Sequence, residues 1–205
     1  ITMATEDGVR MYQRALTLLL DVVVRELFQT RVIVDHSLTF GGLFCRVLQR
    51  EPFTEAELAK IETKMRTLVN EDIPIQRETM RIEEAIANAR AQGDSAQALL
   101  LEQSERKEVR VHVLRNVKHY FLGRMLAPST GYLKFFAVRN YPPGFLLQFP
   151  GRHRPTALEP IKRQITVFTP KAKPKREGLP GHPPREVDVI DVPDTRQACP
   201  CCGGQ

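Results

Sequence analysis

The sequence predicts an α+β fold, a long helix packed on an antiparallel sheet, followed by a Pro-rich tail. Three observations carry this. Between residues 9 and 28, Met11, Tyr12, Ala15, Leu16, Leu19, Leu20, Val23, Val24 and Leu27 recur at helical spacing. Between residues 108 and 114, Val109, Val111 and Val113 alternate with Arg110 and His112, which is the period of a strand. Nine of the chain's 15 prolines lie beyond residue 150, so the composition changes there.

Taken in order, Asp7-Gly8 reads as a turn ahead of the long helix. Residues 31–35 read as a strand by their β-branched content. Gly41-Gly42 breaks the chain, and residues 43–48 return as a second strand. Thr54 with Glu57 three residues on is a capping box, and it starts a helix through about residue 69 whose inner face is Ile61, Met65, Leu68 and Val69. Ile73-Pro74-Ile75 opens an extended segment, and residues 81–91 form a further amphipathic helix stopped by Gly93. Asp94 or Ser95 caps a shorter helix through Leu101. Residues 132–138 and 145–149 read as the last two strands, joined through Tyr141-Pro142-Pro143-Gly144. Residues 165–168 are a candidate for one more short strand, and no structure is expected from Pro170 onward.

These readings divide the chain into residues 1–8, the end of a preceding domain or a linker, a folded domain at 9–150, and a basic tail at 151–205. Residues 1–150 hold 20 Lys+Arg against 18 Asp+Glu and the tail 10 against 6, so most of the net +6 is in the tail. A basic tail, with Lys171, Lys173, Lys175 and Arg176, can neutralise phosphates, and its composition is also that of a solvated, disordered end. No apolar run approaches the ~18 residues of a spanning helix, so no membrane is expected. Four Cys, three of them in the last seven residues, make no disulfide framework, and a cytoplasmic location is expected.

A set of short motifs runs through the domain. They are Asp7-Gly8 into Met11-Tyr12-Gln13-Arg14, Val34-Asp35-His36-Ser37 through Phe44-Cys45, Tyr120-Phe121-Leu122-Gly123, Pro128-Ser129-Thr130-Gly131-Tyr132-Leu133, and Gly144-Phe145-Leu146-Leu147-Gln148-Phe149-Pro150. The set resembles the editing domain of threonyl-tRNA synthetases over roughly residues 7–150. It is more similar still to the copy of that domain fused in front of uridine-kinase-like P-loop kinases. The resemblance implies a threonyl/alanyl-tRNA synthetase editing-type fold. In the synthetases this domain hydrolyses serine wrongly attached to threonine tRNA, with an H-x-x-x-H pair on the long helix and a C-x-x-x-H pair on a later loop. Residues i and i+4 share a helix face, so two imidazoles there can converge on one metal or one water.

The resemblance puts those four ligand positions at Arg14, Leu18, Phe121 and Met125. Leucine and phenylalanine cannot ligate a metal, arginine stays protonated, and methionine is a soft, weak ligand. No catalytic set is therefore expected. Arg14 remains of interest, since at a cleft floor it can bind phosphate or carboxylate. Asp35 and His36 are adjacent on a strand and point to opposite faces, so they form no dyad. Cys45 sits among apolar residues as a core thiol. His112 and His119 have no metal-type spacing. Cys199, Cys201 and Cys202 are weak metal candidates, because no second ligand pair is near in sequence.

The function these residues imply is that of a non-catalytic module that binds RNA or a nucleotide, or regulates a kinase. Its cleft would be built from Arg14, His36, Tyr120, Arg124, Ser129, Thr130 and Lys134, with Phe121 and Tyr132 as further stacking surfaces. The partners implied are tRNA or a nucleotide and, from the fused relatives, a P-loop kinase domain. No Gly-x-x-x-x-Gly-Lys-Ser/Thr occurs in the chain, so no cofactor is expected in it, and ATP with Mg²⁺ only if a kinase domain follows. One alternative is the N-terminal part of a nucleoside (uridine) kinase. Another is a trans-editing aminoacyl-tRNA hydrolase with an unorthodox site, whose activity His36→Ala would abolish.

Overall fold

A computed structural model describes residues 3–38, 42–121, 125–158 and 160. They fall in one compact unit, Ile1–Lys162, and the remaining unit, Arg163–Gln205, lies outside the described residues. So do the strand expected at 165–168, the basic stretch 171–176, Arg124 and the three tail cysteines.

The first helix, α1 (Glu6–Phe28), begins earlier than the Asp7-Gly8 turn signal suggests. Thr5 Oγ1 accepts from the Gly8 amide at 3.1 Å, and Glu6 and Asp7 sit in the first turn, where acidic groups suit the helix dipole. Asp7-Gly8 is therefore helix, not turn. Gln29, left-handed at φ 51°, ends it. Then come β1 (Val32–Leu38) and β2 (Gly42–Val47), and α2 (Glu55–Asn70) opens on the expected capping box. The Thr54 amide donates to Glu57 Oε2 at 2.8 Å, and the Glu57 amide donates to Thr54 Oγ1 at 3.3 Å.

Next are β3 (Gln76–Arg81), α3 (Ile82–Ala91) and α4 (Ser95–Glu102), the last capped by Asp94, whose Oδ1 accepts from the Gln97 amide at 3.0 Å. β4 (Glu108–Leu114) pairs with β5 (Val117–Tyr120), a strand the sequence pattern does not announce. The strand expected at 132–138 is not one. Thr130–Tyr132 is a turn of 3-10 helix, and β6 starts only at Ala137 (Ala137–Tyr141). The reason is a local anchor. Thr130, wholly buried, donates from Oγ1 to the Leu68 carbonyl (2.6 Å) and accepts from the Ile73 amide (2.8 Å), holding the segment against the end of α2. β7 (Gly144–Gln148) closes a tight hairpin with β6 through Pro142-Pro143.

The strands make two antiparallel sheets, not one: β1-β2-β7-β6 and β3-β4-β5. The main core joins α1 (Leu16, Leu18, Leu19, Val23), α2 (Ile61, Met65, Leu68) and the first sheet (Cys45, Phe145, Leu147). A second core packs Ile82, Ala85 and Leu101 on Val109, Val111, Val113 and Tyr120 of the small sheet. The alternation of β4 thus holds for its valines. On its other face Arg110 is exposed but His112 is buried.

Candidate nucleotide-binding cleft

α1 sets Arg14 and Leu18 one turn apart on the same face. Leu18 has no exposed surface and belongs to the main core, whereas Arg14 is half-buried. Tyr120, at the end of β5, is 8% exposed, and its backbone is clamped by α4, with its amide donating to Gln97 Oε1 at 3.3 Å. Gln97 Nε2 also meets His119 Nδ1. Phe121 lies between two histidines, its ring centroid 4.4 Å from His119 and 5.9 Å from His112. Met125 is 51% exposed.

Tyr120, Phe121 and Met125 meet in a cleft of about 460 Å³ that Arg77, Arg110 and His112 also line. Register explains the grouping. Arg77 of β3 stands opposite His112 of β4, and Arg110, two residues along β4, shares the face of His112. Arg106 and Glu108 complete the rim. Burial pushes the His112 imidazole down to about 4, helped by Arg77, His119 and Arg14, so it is neutral at pH 7. Neither of its ring nitrogens has a hydrogen-bond partner among the described residues. Burial also lowers His119, against the opposing pull of Asp21 and Asp94.

The other candidates stand elsewhere. Ser129 Oγ donates to Asp72 Oδ1, which also accepts from the Gly131 amide at 2.9 Å. A Cβ on Gly131 would lie 2.2 Å from that same oxygen, so the bridge requires glycine. Beside it a wider cleft of about 830 Å³ is lined by Arg66, Asp72, Tyr132, Lys134, Phe135 and Phe136 among others. Lys134 thus lines a different cleft from Tyr120, and Ser129 and Thr130 are engaged in holding the loop. His36 lines neither cleft. It stacks on Phe44 at 5.2 Å, while Asp35, at a bulge in β1, pairs with Arg46, which holds its carboxyl below the usual range. Burial pushes the Cys45 thiol up to about 12, which leaves it without nucleophilic character at neutral pH. Among the described residues no group of three or more His, Cys, Asp or Glu is placed to hold a metal ion.

Sequence reasoning missed Arg77 and Arg106 and gave Arg110 and His112 no binding role. The alternation of β4 was the available signal, because it put Arg110 and His112 on one face. Nothing in the sequence put Arg77 beside them.

The fold and cleft define a mixed helix-and-antiparallel-sheet domain with an arginine-rimmed, partly aromatic pocket. No protein-family model matches the chain. It is 28% identical over 162 residues to a threonine–tRNA ligase of Polaromonas sp. strain JS666, a stretch that is 78% of this chain and 25% of that protein. It is 31% identical over 139 residues to the threonine–tRNA ligase of Laribacter hongkongensis (67% of this chain, 22% of that protein). Identity is also 31%, over 109 residues, to that of Methylococcus capsulatus (53% and 17%). The chain is thus similar, over half to three quarters of its length, to part of threonine–tRNA ligases, and it spans a quarter or less of the length of these relatives. No helix among the described residues is long and apolar enough to cross a membrane.

Proposed function

We propose that this domain is an editing-domain-like module that binds tRNA or a nucleotide and does not hydrolyse an aminoacyl ester. The observation that carries the reading is the state of the four positions where the resemblance expects ligands. Leu18 is sealed in the core, and Phe121, half-buried, packs against two histidine rings. Arg14 is cationic, and Met125 offers only an exposed thioether. Such a set activates no water. What the cleft retains is positive charge and aromatic surface, the two features with which proteins hold single-stranded RNA ends.

The synthetase relatives favour tRNA as the polymer. The similarity of Pro128-Ser129-Thr130-Gly131-Tyr132-Leu133 and of the Gly144–Pro150 ending to the kinase-fused domains favours a second setting, in which the module positions substrate for, or regulates, a P-loop nucleoside kinase. The tRNA reading is tested directly. Filter binding of tRNA across a salt series, run beside deacylation of seryl-tRNA(Thr), should show salt-sensitive binding without release of serine. Protein-dependent release of serine that His36→Ala abolishes would replace this reading with the trans-editing one.

A further inference from the structure

His112 is 3% exposed and lines the 460 Å³ cleft, yet both ring nitrogens lack partners among the described residues. Buried polar side-chain atoms are nearly always hydrogen-bonded, so two orphans on one ring point to a group that the described residues do not supply. Three arginines line the cleft with this ring. Arg77 is its cross-strand partner, Arg110 follows on the same face of β4, and Arg106 is at the rim. All three residues are exposed, and none of their guanidiniums makes an ion pair or hydrogen bond among the described residues. The one carboxylate among the described residues lining the cleft is Glu108.

We propose that this cleft is a phosphoryl-binding site, in which Arg77 and Arg110 hold the oxygens of a nucleotide phosphate and His112 hydrogen-bonds the same group from below. The proposal rests on the RNA- or nucleotide-binding reading and names the part of the ligand that is anchored. Donors reach the cleft from β3, from β4 and from its floor, so the acceptor must present oxygens in several directions. A tetrahedral phosphoryl group does so, and a planar carboxylate presents two in one plane. A metal ion is disfavoured by the same guanidiniums. Phe121, Tyr120 and Met125 continue the wall with apolar surface against which a ribose or base can lie.

The test is calorimetric titration of the 205-residue chain with inorganic phosphate, AMP and adenosine, beside tRNA binding. Arg77→Gln/Arg110→Gln removes both exposed anchors without touching the core, and His112→Phe removes the imidazole while keeping an aromatic ring. AMP should bind at least about tenfold more tightly than adenosine, and the double variant should lose at least about tenfold in AMP affinity. His112→Phe should weaken AMP as well, and inorganic phosphate should raise the pH at which the His112 ring titrates by NMR. Equal binding of AMP and adenosine, or undiminished AMP binding by the double variant, overturns the phosphoryl site. If tRNA binds the wild type and the double variant alike, the RNA reading stands and the site falls. If phosphate and AMP bind through Arg77 and Arg110 while tRNA does not bind at all, the site stands and the RNA reading falls.

Discussion

His112 meets Phe121 nearly edge to face, with ring centroids 5.9 Å apart and planes at 66°, and this contact closes the floor of the arginine-rimmed cleft. The contact is apolar in character, while the two ring nitrogens of His112 stay unpaired among the described residues. The protein therefore keeps a polar ring where a hydrocarbon one would suit the packing better.

His112→Phe should raise the stability of the free protein by about 1 kcal/mol, since it replaces unpaired buried nitrogens by apolar atoms of similar shape. Urea unfolding at pH 7.5 checks this, and a loss of stability would mean that an unseen partner satisfies the ring.

The same residue sets an acid limit. Its pKa is about 4 in the folded chain against the ordinary 6.5, held down first by burial and then by Arg77 on β3, His119 on β5 and Arg14 on α1. Between these values the unfolded chain binds the proton and the folded chain does not, so this contribution to stability is lost as pH falls from about 6.5 toward about 4. Denaturation midpoints at pH 7.5 and pH 5 should diverge in the wild type and diverge less in His112→Phe, where the lowered His119 still contributes.

Leu18→Ala should cost about 3 kcal/mol, as large-to-small changes at a sealed core position do. The side chain has no exposed surface in the main core. Denaturant unfolding measures it, and a cost under about 1 kcal/mol would mean that Leu18 faces an open cleft.

Thr130→Val removes the hydroxyl that bridges the Leu68 carbonyl and the Ile73 amide, and should cost about 2 kcal/mol with little direct effect on nucleotide affinity. Lys134→Gln, on the exposed rim of the wider cleft, should do the reverse: stability unchanged within about 0.5 kcal/mol, and any loss appearing in the salt dependence of tRNA binding. Urea unfolding beside AMP titration and tRNA filter binding separates the two effects.

Gly144→Ala should cost about 3 kcal/mol or prevent folding, because its Cβ would lie 2.2 Å from the Cys45 carbonyl oxygen, which is backbone and cannot turn aside. The close approach of β7 to β2 depends on that glycine. Thermal unfolding of the variant checks the cost.

What was legible in the sequence was local. The α1 periodicity, the Thr54–Glu57 box and the Asp94 cap rest on spacings of three and four residues, and each appears where expected. β5 escaped notice because Val117-Lys118-His119-Tyr120 is short and half polar, and it exists only by pairing with β4. The segment at 132–138 reads as a strand by its aromatics, but the buried Thr130 hydroxyl commits it to a loop. The cleft was least legible of all. Arg77 and Arg110 are 33 positions apart, and only the β3–β4 register sets them on either side of His112.

A module that holds RNA without cutting the ester it carries is tested most directly on a charged tRNA. The measurement follows radiolabelled seryl-tRNA(Thr) incubated with the 205-residue chain, scoring the bound fraction and the released serine in one sample. The predicted result is retention that falls steeply with added salt, with serine released at the uncatalysed rate. No retention at low salt, or release that rises in proportion to protein, would contradict it.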